Sequence, residues 1–254
     1  MAEELLRQRE GHVDVLTINR PEARNAINLA TARALDEALD ACALDDDVWV
    51  VILTGAGDKA FSAGMDLKAF ARGEIPITAQ GFGGLTQRRF PKPLICAANG
   101  SAFAGGFEML LSCDLVVAAD HAVFGIPEVQ RGLIAGAGGL IRLARRVARA
   151  AALEMALTGE GVSAARAYDL GLVNRVVPGD QVVATAMSVA QRICDNAPLA
   201  VRASKHVMLE SLEMNETDAW RLNDEEFTRM ATSADALEGA ISFAEKRPAQ
   251  WRGQ

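Results

Sequence analysis

The chain has 254 residues, half of them hydrophobic but only three Trp and one Tyr, so it can bury an aliphatic, Ala-rich core as one large domain or as one domain with a helical appendage. Its 26 Lys and Arg against 33 Asp and Glu leave a net charge of −7, which argues against a nucleic-acid binder and its usual basic surface. Four widely spaced cysteines without a CxxC (Cys42, Cys96, Cys113, Cys194) point to free thiols, and three scattered histidines argue against a His-built metal site or triad.

The opening "MAEELLRQREG" is charged and lacks the apolar run of a signal peptide. No apolar window reaches the roughly 20 residues that span a bilayer, so a soluble, cytoplasmic protein with no membrane association is expected. "HVDVLTINRP" alternates like a strand and ends at Pro21, and "LATARALDEALDACALDD" carries Leu29, Ala32, Leu35, Ala38 and Leu39 at helical spacing. "VWVVILTGAG" is a β-branched run of the kind buried on both faces of a sheet. A polar, Gly-containing region follows to Pro93, with "AFSAGMDLKAF" inside it. "PLICAANGSAF" predicts one buried strand, "GGFEMLLSC" a short helix, and "DLVVAAD" and "AVFGI" two more strands. This alternation argues for α/β architecture. "GGLIRLARRVARAAALEMALTG" predicts one amphipathic helical region closed by Gly159, and Ser163 and Gly171 bracket a further helix. After the short strand "LVNRVV", helices are predicted over 181–196, 198–213, 216–232 and 234–246.

Two loops and two acids carry the chemistry. "SAGMD" (Ser62–Asp66) and "FAGGFE" (Phe103–Glu108) put small residues where backbone must approach something closely. The second follows a strand and opens a helix, so the amide of Gly105 or Gly106 is suited to holding an oxygen that gains negative charge. No GxxxxGK[ST] phosphate loop is present, and "GAGG" (Gly136–Gly139) lacks the strand context of a dinucleotide fingerprint. Glu108 and Glu128 stand in apolar surroundings. Read singly, each could point outward or pair with an arginine, Arg131 or Arg142. Read together, burial and mutual repulsion would raise their pKa values and let one pair share acid and base duties.

The fragments "LTINRPEARNAIN", "VVILTGAGDKAFSAGMDLK", "AANGSAFAGGFEMLLSCDLVVAADHAVFGIPEVQRGLIAGAGG", "ALTGEGVSAARAYDLGLVNRVVP" and "DALEGAISFAEKR", in this order, resemble the enoyl-CoA hydratase/isomerase (crotonase) superfamily almost end to end. The resemblance implies an α/β fold with a crotonase-like ββα spiral core over residues 1–195. Residues 196–254 would form a C-terminal helical trimerisation region, giving a homotrimer or a dimer of trimers. It implies an oxyanion hole from the N–H groups of Met65 and Gly105, acid and base roles for Glu108 and Glu128, and an acyl-CoA thioester as substrate. Coenzyme A enters as part of that substrate, with no separate cofactor and no metal.

Having both acids points to a hydratase adding water to a trans-2-enoyl-CoA, since simple isomerases of the family usually keep only the second. Dehydratases of specialised acyl-CoA thioesters, such as carnitinyl-CoA, carry both as well, and the "GGLIRL" stretch and the C-terminal end are similar to that branch. Family analogy also places Arg24, Ala26 and Ile27 near the adenine, and Ala63, Asp66, Leu67 and Lys68 along the pantetheine. Phe243 and Lys246 would reach the nucleotide, from an adjacent subunit in one arrangement. Met65, where a smaller residue is common, would reshape the acyl pocket, and the variable segment 69–87 would line the acyl chain. An RNA-binding use of the fold would need a basic face, which a charge of −7 disfavours.

Overall fold

The computed structural model describes residues 3–254. The charged opening hides the first strand. β1 (Leu5–Glu10) pairs antiparallel with β2 (Val13–Ile18), Leu5 opposite Ile18 and Glu10 opposite Val13. Arg7 and Arg9 are two residues apart and so leave the strand on one side, where both reach the fully buried carboxylate of Asp14.

Helix α1 (Leu29–Leu44) starts where the Asn28 side chain accepts from the Thr31 N–H, and it buries Ala32, Leu35, Leu39 and Cys42 along one stripe. At its other end the buried Lys92 ammonium donates to the carbonyls of Cys42 (2.7 Å) and Asp45 (2.6 Å), a cation on carbonyls the helix leaves unpaired. β3 (Val50–Gly55) is buried at every residue, as its β-branched run predicts.

After β3 come β4 (Ala60–Ser62), the single-turn α2 (Leu67–Phe70) and a small hairpin of β5 (Ile77–Thr78) and β6 (Gly81–Phe82). The stretch 94–103 is two strands, not the one predicted. β7 (Leu94–Ala98) and β8 (Ser101–Phe103) are separated at Asn99–Gly100 and belong to different sheets. A Cβ on Gly100 would lie 2.5 Å from the Lys59 backbone, so only glycine lets the chain cross there. α3 (Gly105–Leu110), β9 (Leu115–Ala119) and β10 (Val123–Gly125) follow.

The helical region 138–159 is likewise two helices, α4 (Gly139–Arg146) and α5 (Arg149–Thr158), broken where Val147 is extended. β11 (Val162–Ser163), α6 (Ala164–Asp169), β12 (Arg175–Val177) and α7 (Val182–Cys194) complete the sheets and their cover. As expected, Ser163 caps α6 by accepting from the Arg166 N–H.

One sheet runs β1-β2-β3-β7-β9-β12, parallel except for its first pair. The second runs β11-β10-β8-β4, with β8 parallel to both of its neighbours. α7 buries Val182, Ala186, Ala190 and Cys194 and lies across β3, β7 and β9. Beyond it, α8 (Pro198–Glu210), α9 (Glu216–Ala231) and α10 (Ala234–Glu245) pack in sequence, leaving Trp220, Phe227, Leu237 and Phe243 exposed. All four cysteines are buried and free. Among the described residues no helix is long and apolar enough to cross a membrane.

Candidate active site

The first loop is stitched to the segment before α1. The Ala63 N–H donates to the Arg24 carbonyl (3.0 Å), Ile27 N–H to Gly64 carbonyl (2.7 Å), and Asp66 N–H to Ile27 carbonyl (2.9 Å), which sets Ile27 beside Met65 as in a short parallel pair. Arg24 and Asn25 both take left-handed backbone, each with φ of 53°. Asn25 sustains that turn from inside: its buried side chain donates to the carbonyls of Ala56 (2.9 Å) and Ala60 (2.8 Å) and accepts from the Arg20 N–H. Arg20 then spans the two segments, donating to the Ala26 carbonyl and pairing with Asp66 at 2.8 Å.

Four of the residues expected at the CoA site, Arg24, Ala26, Ile27 and Ala63, are therefore gathered with Met65 and Asp66. Ala26 and Ile27 bury their side chains and offer only backbone, whereas Arg24, Ala63, Leu67 and Lys68 are exposed. Asp66 is committed to the fold. It caps α2 by accepting from the Lys68 (3.0 Å) and Ala69 (3.1 Å) N–H groups. Burial alone would raise its carboxyl, but Arg20 and those amides outweigh burial and hold it below the usual range. Phe243 and Lys246 lie at the end of α10, which packs on α9. Phe243 is 87% exposed, and among the described residues no hydrogen bond or ion pair joins either residue to the first loop.

The second loop meets the first backbone to backbone. A Cβ on Gly106 would lie 2.2 Å from the Ser62 carbonyl oxygen, and one on Gly64 would lie 3.0 Å from the Gly105 nitrogen. Nothing larger than glycine fits at either contact. Ala104, just before the donor, is held at φ 50° and ψ −130°, strained for an L-residue. Its N–H donates to the Gly125 carbonyl (2.9 Å), anchoring the turn to β10. The Phe82 ring presses on Gly105, where a Cβ would meet it at 2.5 Å. Among the described residues neither the Met65 N–H nor the Gly105 N–H is taken by an internal acceptor, so both remain free to donate.

Glu108 lies one turn into α3, with 2% of its surface exposed. Its Oε1 accepts from the N–H groups of Ala137 (2.7 Å) and Gly139 (2.8 Å), with Gly138 at φ 95° between them. A Cβ on Gly139 would lie 2.9 Å from Glu108 Cγ, so that glycine is required for the carboxyl to seat. Glu128 occupies the 3-10 turn Pro127–Arg131 after β10, and its Oε2 is buried with no hydrogen-bond partner.

Burial pushes both carboxyls up. For Glu108 the Gly139 and Ala137 amides and the Arg142 charge pull part of the way back. For Glu128 the neighbouring charge of Glu108 adds to the rise. Among the described residues neither Arg131 nor Arg142 forms an ion pair with either glutamate, so an outward-pointing or arginine-paired Glu108 does not describe the site. What results is two carboxyls in electrostatic reach of each other, one clamped by amides and one with a buried oxygen that has no partner. The residues that sequence reasoning passed over are Arg20 and Asn25, whose signal was a polar side chain beside a loop; Arg142, expected as an ion-pair partner of a glutamate, instead donates to backbone carbonyls.

Comparison with known proteins identifies the family of the chain. The carnitinyl-CoA dehydratase of Salmonella arizonae is 40% identical over 261 residues, covering all of both chains. The mevalonyl-coenzyme A hydratase of Aspergillus fumigatus is 42% identical over 248 residues, covering 95% of this chain and 92% of that one. The crystal structure of an enoyl-CoA hydratase from Mycobacterium marinum superposes with a TM-score of 0.96 at 47% identity, covering 99% of each chain. The family model described as enoyl-CoA hydratase/isomerase matches residues 8–254. These matches run over nearly the whole fold: the chain belongs to the enoyl-CoA hydratase/isomerase family.

Proposed function

We propose that the protein is an acyl-CoA hydro-lyase that adds water reversibly across the double bond of a trans-2-enoyl-CoA, giving the 3-hydroxyacyl-CoA. The observation that carries this reading is the unequal pair: Glu108 held by two N–H donors, and Glu128 with a buried oxygen that nothing satisfies. Amide donors favour a carboxylate, so Glu108 is the base. With Oε1 engaged, Oε2 takes a proton from water as the water oxygen bonds to the β-carbon. Glu128, whose proton is held more tightly through burial and the charge of Glu108, delivers it to the α-carbon. The thioester carbonyl, accepting from Met65 N–H and Gly105 N–H, holds the charge that develops between these events. Return of the proton from Glu108 to Glu128 through solvent resets the pair.

The backbone of 24–27 and 63–66, with Leu67 and Lys68 beyond it, would cradle the CoA arm. Phe243 and Lys246 would reach the nucleotide from an adjacent copy in a trimer or dimer of trimers. Identity of 40–42% to hydro-lyases whose names specify carnitinyl and mevalonyl groups supports a second reading, the same chemistry on a short functionalised acyl group.

The test is initial-rate hydration of crotonyl-CoA, followed by product analysis on a panel of acyl-CoA thioesters. Glu108→Gln and Glu128→Gln should each lower kcat by about 10²–10⁴-fold while folding and CoA binding persist. Wild-type turnover in either variant removes that acid from the mechanism, and a shifted double bond instead of a hydroxyl identifies an isomerase.

A further inference from the structure

Arg142 stands on α4 just past Gly138, and its guanidinium is given wholly to backbone carbonyls. It donates to Ala137 (3.3 Å) and to Thr86. Each carbonyl belongs to a different half of the site. The N–H of the same Ala137 donates to Glu108 Oε1. On the other side, Thr86 Oγ1 accepts from the Phe82 N–H (2.9 Å), which seats the ring that presses on Gly105. One planar, forked cation thus joins the loop that clamps a carboxylate to the turn that walls the oxyanion donor.

We infer that Arg142 is a positioning residue that fixes Glu108 and the Phe82 wall in register through the carbonyls of Ala137 and Thr86. The inference rests on the reading of Glu108 as the working carboxylate. Its charge acts in the same sense as its geometry. The charge acting on Glu108 is that of Arg142 on α4; Glu108 in turn acts on Glu128 in the 3-10 turn and on Arg142, and Arg146 and Cys113 also act on Arg142. Burial raises the Glu108 carboxyl and Arg142 offsets part of that rise, so removing the cation must push the carboxyl higher.

The experiment is a pH profile of kcat/KM for crotonyl-CoA hydration by the full-length wild type, Arg142→Gln, Arg142→Lys and Glu108→Gln, with thermal melts alongside. In Arg142→Gln the acid limb is expected to move up by about one pH unit, and kcat to fall by about 10²-fold, with little change in KM. Arg142→Lys keeps the charge and so the position of the limb, but an ammonium lacks the fork and regains only part of kcat. A limb that stays in place in Arg142→Gln overturns the inference, whatever the loss of rate, because a purely structural role would not move it. Should Arg142→Gln fail to fold, Arg142→Lys decides: full wild-type kcat, or a reduced kcat with a lowered melting temperature, overturns the bridging role, and a reduced kcat with unchanged KM, an unmoved limb and a wild-type melting temperature supports it. A Glu108→Gln variant that turns over normally removes the reading of Glu108; an inactive one beside an unmoved Arg142→Gln limb removes Arg142 alone.

Discussion

Asp14 and Glu108 are both withdrawn from solvent, one at the hairpin that opens the chain and one at the candidate active site, and their carboxyls shift in opposite directions. Burial would raise each. At Asp14 the guanidiniums of Arg9 (2.7 Å) and Arg7 (2.8 Å), with the Cys42 thiol at 3.3 Å, outweigh burial and hold the group below the usual range. The same contact, added to burial, pushes the Cys42 thiol up to about 12. At Glu108 the contacting donors are neutral amides, with Arg142 acting only through space, and the group stays raised. At Asp14 the cations outweigh burial and fix both position and charge; at Glu108 two amides fix the position but only partly offset burial, so the proton stays movable. That difference separates an acid that holds a fold together from one that can exchange protons with a substrate.

The contrast can be broken or sharpened by experiment. After the losses expected for Glu108→Gln and Glu128→Gln, the next largest effect is at Gly139, where a methyl would displace Glu108 Cγ. Gly139→Ala should lower kcat by about 10²-fold with a melting temperature near wild type. An unaffected kcat would mean that the amide clamp does not set the geometry of the acid.

Asp14→Asn should do the reverse, costing about 1–3 kcal/mol of stability in urea denaturation while kcat is retained. Because the folded Asp14 is depressed, its contribution is present above the ordinary carboxylate range and is lost as pH falls through the folded value. The wild-type advantage over the Asn variant should therefore shrink in acid.

The smallest effect is expected of Glu128. The folded protein holds the Glu128 proton more tightly than the unfolded chain does, so the native state loses stability as pH rises from the ordinary carboxylate range through the raised value. Glu128→Gln lacks that loss. Its melting temperature should exceed that of wild type by a margin that widens with pH, and a margin that narrows would show the carboxyl to be depressed instead.

Much of this was legible in the sequence. The buried run of β3, the apolar stripe of α1 and the loop glycines beside Met65 and Gly105 each follow from local pattern. What escaped did so for physical reasons. β1 carries Arg7, Arg9 and Glu10 on an edge, so its charges hide the alternation of a strand, yet two of them face a buried acid. The break between α4 and α5 uses Val147 and Ala148 in ordinary extended backbone, with no Gly or Pro to announce it. The split of 94–103 depends on which sheet each half joins, a long-range fact that apolar composition does not encode. At the site, residue types exposed Glu108 and Glu128, but the clamp on one and the orphaned oxygen on the other arise from backbone of 137–139 brought against α3.

The crossing at Asn99 and Gly100 has a mechanical meaning. Asn99 accepts from the Gly55 N–H (3.0 Å) and donates to the Gly57 carbonyl (2.7 Å), so the handover from one sheet to the other is bolted at the mouth of β3. The two donor loops hang from this joint like a bridge deck between fixed abutments, and the hairpin of 77–82 leans on it through a single aromatic ring. The hairpin and its neighbours can therefore shift or change shape while the span between the two loops stays constant.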